Sequence, residues 1–262
     1  MQLNETRILL TGATGGLGQA LAIQLAATGA RVLLAGRDAG KLAELTARLG
    51  HGHSSVRADL TQPEGMAAVV GAAREFGVNV LVNNAGIGSF GLYPEQAWPD
   101  IAQVVSTNLL MPMELTHALL PTLKSRPQAA IVNIGSTFGS LPFPGFAAYS
   151  AAKAGLRGLS QALRRELADT GVRVIHLAPR AIDTPLNSPA VNALNRALGN
   201  RQDTPADVAR AVVSALEDGA GERHIGFPEK LFAWLNGLAP SWIDRGLAAK
   251  LPVIRQHAHH SQ

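Results

Sequence analysis

Cysteine is missing from all 262 residues, which excludes disulfides, a thiolate nucleophile and thiolate metal ligands. Aromatic residues make up only 5%. Charge of one sign is nowhere concentrated: 23 Lys and Arg against 19 Asp and Glu leave a net charge of +4 without long runs. Dedicated nucleic-acid binding therefore has little support. No apolar run approaches the roughly 20 residues that a membrane-crossing helix needs, so no transmembrane segment is expected. The polar start Met1 to Thr6 leads through an apolar stretch into a glycine-rich turn with no cleavage-like small-residue site. The chain thus reads as cytoplasmic. What is present is a 47% hydrophobic composition with 27 Gly and 15 Pro, which excludes disorder, collagen and a long coiled coil.

Short apolar runs alternate with longer Ala- and Leu-rich segments of helical spacing, the pattern of βαβ units. Strands are expected at Arg7–Leu10, Val32–Ala35, Ser55–Ala58, Val80–Asn83, Ala130–Ile134 and Val172–Leu177. Helices are expected at Leu17–Thr28, Lys41–Leu49, Met66–Phe76, Trp98–Leu120, Ser150–Thr170 and Pro205–Leu216. Near-continuous apolar strands suit a parallel sheet buried on both faces. The reading is a single α/β domain, a doubly wound parallel sheet with helices on both faces. Thr184 to Gln202 is expected to be an irregular insertion. The domain is expected to span 1–228, with an amphipathic extension over 229–262.

After the first strand comes Thr11-Gly12-Ala13-Thr14-Gly15-Gly16-Leu17-Gly18, opening directly into a helix. Gly12 allows a tight strand-to-helix turn, Gly16 lets backbone approach a pyrophosphate, and Gly18 permits close helix packing, with the anion at a helix N-terminus. A purely structural turn would use the same glycines. No Gly-Lys-Ser/Thr follows, so a P-loop is excluded. The second strand ends at Ala35-Gly36-Arg37, where NAD-binding folds place an acidic residue on the ribose. Here a glycine is followed by a cation able to pair with a 2′-phosphate, which favours NADP(H) and leaves NAD(H) as the second choice. An exposed arginine opening a helix is the other reading of Arg37.

The fifth strand delivers Ser136, and Tyr149 and Lys153 follow four residues apart, hence on one helix face. A phenol of pKa about 10 must fall by about 4 kcal/mol to exchange protons readily near neutrality. A lysine ammonium at about 4 Å supplies a Coulomb energy of about that size at intermediate dielectric. Taken alone, Tyr-x-x-x-Lys also describes an ordinary surface pair.

The glycine turn, Asn83-Asn-Ala-Gly86, Asn108, Ser136, and Tyr149 with Lys153 stand in the order and spacing of one family. From about Arg7 to about Leu216 the sequence resembles the short-chain dehydrogenases/reductases of the compact single-domain type, which implies a Rossmann-like fold. The resemblance implies that Tyr149 exchanges a proton with the substrate oxygen while hydride moves at the nicotinamide, and that Ser136 hydrogen-bonds the same oxygen. It implies that Lys153 holds the nicotinamide ribose and lowers the Tyr149 pKa, and that Asn108 supports a water linking Lys153 to solvent. The run Asn83-Asn84-Ala85-Gly86 would line the cofactor and stabilise the sheet, and Asp59 and Leu60 would border the adenine. Pro179 and Thr184 match the family's segment after the sixth strand, but Arg180 stands where a glycine is usual. Arg180 facing a substrate anion and a solvated loop Arg180 both remain open.

The implied reaction interconverts a carbonyl and an alcohol. Phe138, Leu141, Phe143 and Phe146, between Ser136 and Tyr149, favour an apolar small-molecule substrate. The alternatives are an NAD-dependent alcohol dehydrogenase working oxidatively and a non-catalytic cofactor-binding or interaction protein on the same fold. A homodimer or homotetramer is expected, although the ending differs from the tetramer-building one of many relatives. The tail with Phe232, Trp234 and Trp242 reads as an amphipathic helix that covers the site, meets a partner subunit, touches a membrane peripherally or packs on its own domain. His257, His259 and His260 read as a free tail rather than metal ligands.

Overall fold

Runs such as Ile8–Leu10 and Val32–Ala35 are apolar at every position, so both faces of those strands must be covered. In the computed structural model, which describes residues 1–227 and 229–258, each of these residues is buried. The strands are β1 (Arg7–Thr11), β2 (Arg31–Gly36), β3 (Ser54–Arg57), β4 (Val80–Asn83), β5 (Ala129–Ile134), β6 (Val172–Ala178) and β7 (Glu222–His224). They pair in parallel in the order β3-β2-β1-β4-β5-β6-β7. The protein is a Rossmann-like α/β fold. Between β1 and β4 the direction of winding reverses, and an open α/β sheet forms its ligand crevice at that point, beyond the carboxyl ends.

Alternate strand residues serve opposite layers. Ile8, Leu10, Val82 and Val132 pack with α1 (Gly16–Ala26), α2 (Ala39–Leu49) and α8 (Pro205–Asp218). Leu9, Leu81 and Ile131 pack with α3 (Pro63–Phe76) and α5 (Met111–Lys124). The same face carries α6 (Ala147–Glu166), joined to the sheet by a buried polar chain. Asn83 Nδ2 donates to Asn133 Oδ1 at 2.8 Å and Asn133 Nδ2 to Ser160 Oγ, also at 2.8 Å. These amides lie in a low-dielectric layer where an unmet partner costs about 1–3 kcal/mol, so they fix α6 in register with β5. On the far side, Glu222 accepts from Arg157 Nε at 2.6 Å and Gln161 Nε2 at 3.1 Å, tying β7 to α6.

Four elements differ from expectation. The segment expected as one helix from Trp98 to Leu120 is α4 (Trp98–Val105), a π-helical turn at Ser106–Leu110, then α5. Pro112 has no N–H for the Asn108 carbonyl in the ordinary i+4 pattern, and the helix widens there, with Met111 N–H on the Ser106 carbonyl. The expected irregular insertion contains α7 (Pro189–Ala197), started by Ser188, whose hydroxyl accepts from the Val191 N–H, and by Pro189. Strand β7 was unforeseen because three residues carry no periodicity.

Among the described residues the extension is three short helices, not one: α9 (Glu229–Leu238), α10 (Pro240–Ala248) and α11 (Leu251–Ala258). Pro240 and Pro252, each in a first turn, keep the helices apart. Helix α11 packs on α7 and buries Ile254 beside Gly145. His257 belongs to α11 rather than to a free tail, whereas Pro228 at the expected boundary, His259 and His260 lie outside the described residues.

Candidate active site

The glycine turn closes on itself at backbone distance. Gly12 adopts φ +64°, and a Cβ there would stand 2.8 Å from Ala85 Cα. A Cβ on Gly18 would stand 2.1 Å from the Gly12 carbonyl oxygen. The turn therefore delivers α1 with its first N–H groups facing outward, and Gly15 at its N-cap offers no side chain to satisfy them. Unmet amides and the helix dipole together suit an anion. Thr184 comes back across this turn, within 3.2 Å of where a Gly16 Cβ would lie. Asn84, within the run expected to line the cofactor and stabilise the sheet, locks the turn to β4: its Nδ2 donates to the Thr11 carbonyl at 2.9 Å and the Gly12 carbonyl at 3.2 Å.

At the end of β2, Gly36 leaves room that an acidic side chain would fill, and the exposed Arg37 borders the opening. The nearby carboxylate, Asp38, caps α2 by accepting from Lys41 N–H at 3.0 Å, and that bond holds its pKa below the usual range. Asp59 is likewise held low, first by the Thr61 hydroxyl and amide and to a lesser degree by the Arg37 charge.

From β5, Ser136 lines the same cavity as Tyr149 on α6, and Ser136 Oγ accepts from Phe138 N–H at 3.1 Å. One turn along α6, Lys153 is 5% exposed and donates from Nζ to the Ile134 carbonyl at 2.9 Å. Burial pulls its ammonium down to about 8, and it lies 5.7 Å from the centre of the Tyr149 ring. Burial raises the Tyr149 phenol and the Ser136 hydroxyl only partly opposes it, while Lys153 is directed to a backbone carbonyl. Asn108 spends both ends of its amide on Ile87, donating to the carbonyl at 2.8 Å and accepting from the N–H at 3.0 Å. It thereby holds the loop after β4, and its Oδ1 stands 2.6 Å from the place of a Gly86 Cβ.

These groups share one cavity of about 830 Å³. Gly12, Thr14, Gly15, Gly16, Leu17, Gly18, Arg37, Asp59, Leu60, Ala85, Gly86, Asn108, Ser136, Tyr149, Lys153, Pro179 and Thr184 all line it. Asn83 does not: its side chain is turned under the sheet to Thr116 and Asn133, which corrects its placement among the cofactor contacts. Arg180 borders the cavity, but its Nε and Nη2 both bond Asp203 Oδ1, at 2.9 and 2.7 Å. The pair closes the base of the insertion, where Ile182 bridges Asp203, so Arg180 faces an internal carboxylate rather than solvent. Of the readings left open for the tail, covering the site is not met by Phe232, Trp234 or Trp242, none of which lines the cavity. Phe90 lines it instead. Its ring lies 4.9 Å from Phe146, Phe146 lies 5.0 Å from Phe138, and Phe138 stacks on Phe143 at 5.3 Å.

A doubly wound sheet with an anion-accepting turn at its switch point and a Ser, Tyr and Lys cluster along the same carboxyl edge defines a dinucleotide-fold oxidoreductase. The short chain dehydrogenase family matches residues 6–195, and the chain belongs to that family. It is 34% identical to dehydrogenase/reductase SDR family member 7B of Bos taurus, over 96% of this chain and 83% of that protein. It superposes on a 3-ketoacyl-(acyl-carrier-protein) reductase of Brucella melitensis complexed with NADH, with TM-score 0.80 and 28% identity over 87% of this chain and 99% of the other. A short-chain dehydrogenase of Sphingobium yanoikuyae in complex with NADPH gives the same TM-score of 0.80 and 28% identity, over 91% and 95%. The chain is an enzyme of this oxidoreductase family.

Proposed function

We propose that the protein is an NADP(H)-dependent oxidoreductase that interconverts a ketone or aldehyde with an alcohol, acting on an apolar substrate. The observation that carries this reading is one cavity with an amide-lined, arginine-bordered end and an aromatic end containing the Ser136–Tyr149 pair. The residues fit the cofactor: the open N-terminus of α1 would take the pyrophosphate, Arg37 the 2′-phosphate, and Lys153 the nicotinamide ribose. A reduced nicotinamide held by these residues would supply the hydride. Tyr149, kept protonated by burial, donates its phenolic proton to the carbonyl oxygen, and Ser136 steadies the charge developing on that oxygen. Lys153 holds its position through Ile134 and keeps a positive charge beside the phenol.

NADPH is expected to bind at least tenfold tighter than NADH, about 1.4 kcal/mol, and Arg37→Ala to erase most of that preference. Fluorescence titration with both cofactors checks it; equal dissociation constants in the unmodified protein would defeat the assignment. The aromatic wall leads to a second expectation. Over a homologous carbonyl series, kcat/KM followed by NADPH absorbance should rise with chain length, each buried methylene contributing up to about 0.8 kcal/mol. A flat or falling series would remove the apolar pocket from this reading.

A further inference from the structure

The hairpin of α9 and α10 is thinly covered by the rest of the described fold. Helix α10 has no buried residue and packs chiefly on α9. Helix α9 buries Ala233 and rests on the turn at Thr137–Gly139, where Asn236 Nδ2 donates to the Ser140 carbonyl at 3.0 Å. The side chains left outside are Leu231, Phe232, Trp234, Leu238 and Trp242, the last three 62%, 65% and 67% exposed. All three tryptophans are exposed, Trp98 on α4 and the other two together on this hairpin.

We propose that this hairpin docks the protein on the surface of an anionic lipid bilayer. An indole has an apolar body and a single N–H, which suits the boundary between acyl chains and headgroups, and leucine and phenylalanine beside it suit the depth just below. Within the hairpin the charges balance, Lys230 and Arg245 against Glu229 and Asp244, and the cationic excess follows it at Lys250, just past α10, and at Arg255 on α11. Arg245, Lys250 and Arg255 are exposed and free to reach headgroups. A second copy of the chain is the competing occupant, and the oligomeric state of the tryptophan variant separates the two. Among the described residues no helix is long and apolar enough to cross a membrane, so the contact lies in the plane of the surface.

The inner side of α9 touches the segment that continues into Phe138 and Phe143, which line the aromatic end of the cavity. Lipid surface and substrate pocket are thus two sides of one loop. If the carbonyl reading above is right, on which this step rests, the substrate is an apolar carbonyl compound dissolved in the lipid phase.

The test is sedimentation of the full chain with vesicles of phosphatidylcholine and phosphatidylglycerol in three-to-one proportion, alongside pure phosphatidylcholine, with tryptophan emission read in parallel. The protein should sediment with the anionic vesicles and its emission should shift to the blue. Trp234→Ser with Trp242→Ser should lower the partition at least tenfold, and Arg245→Gln with Lys250→Gln should lower it several-fold on the anionic vesicles only. Both variants should keep turnover of a water-soluble carbonyl, since none of the four residues lines the cavity. A protein left in the supernatant, or tryptophan variants that bind as well as the parent, would overturn the proposal. So would a parent oligomer that ignores vesicles and dissociates in the tryptophan variant, because a second copy would then be the occupant. Vesicle binding in a protein that reduces no carbonyl would uphold the docking surface and count against the functional reading alone.

Discussion

Tyr149→Phe is expected to lower carbonyl reduction by about 10³-fold, within the range that general acid catalysis supplies. The substitution keeps the ring, so the edge contact with Phe138 at 6.5 Å survives and only the hydroxyl is lost. No neighbour is placed to replace it. Ser136 has an alcohol that is a far weaker acid than a phenol, and Lys153 directs its ammonium to the Ile134 carbonyl. NADPH affinity should change less than twofold, because the anion-accepting turn lies at the other end of the cavity. Stopped-flow or steady-state assays on any substrate the wild-type enzyme reduces provide the measurement. Near-full activity of the variant would mean that the proton comes from elsewhere.

The other large effect is expected at Gly18→Ala, through the backbone. The added methyl would lie 2.1 Å from the Gly12 carbonyl oxygen and 2.8 Å from Ala13 Cα, neither of which can rotate away as a side-chain end could. Helix α1 must move outward, taking its open N–H groups with it. Overpacking of this kind costs about 1–3 kcal/mol of stability. Loss of the amide cradle should weaken cofactor binding at least a hundredfold, about 2.7 kcal/mol. Gly15→Ala is the control for space: its Cβ would meet the Gly12 oxygen at an ordinary 3.5 Å, so stability should stay within about 0.5 kcal/mol of the parent. Urea unfolding with and without NADPH separates the two effects. A Gly18→Ala protein with unchanged midpoint and unchanged affinity would show that the turn has slack the distances deny.

The architecture was legible because parallel strands buried on two faces cannot hide their composition: Ile8–Leu10, Val80–Val82 and Ala130–Val132 are apolar at each step. The glycine turn was legible because φ +64° at Gly12 and the approach at Gly18 leave no other residue type that fits. Helix α7 went unread although Ser188-Pro189 is a proper start, because the Asn- and Pro-bearing surroundings weigh toward a loop. The break at Asn108 was written in Pro112, yet a proline in a long periodic segment does not say whether the chain turns, kinks or widens.

Local order, then, gave the alternation of strand and helix, the anion-accepting turn and the four-residue spacing of Tyr149 and Lys153. Those depend on backbone sterics and side-chain periodicity within one element, which a sequence records directly. Direction and pairing across elements were decided only by the tertiary structure. It turned Asn83 under the sheet, joined Arg180 to Asp203 across 23 residues, and sent Lys153 to the Ile134 carbonyl. It also buried the Tyr149 phenol, which raises its pKa. Each of these outcomes depends on how much water is left around a group and which partner stands within about 3 Å of it. Neither quantity exists until distant segments have packed.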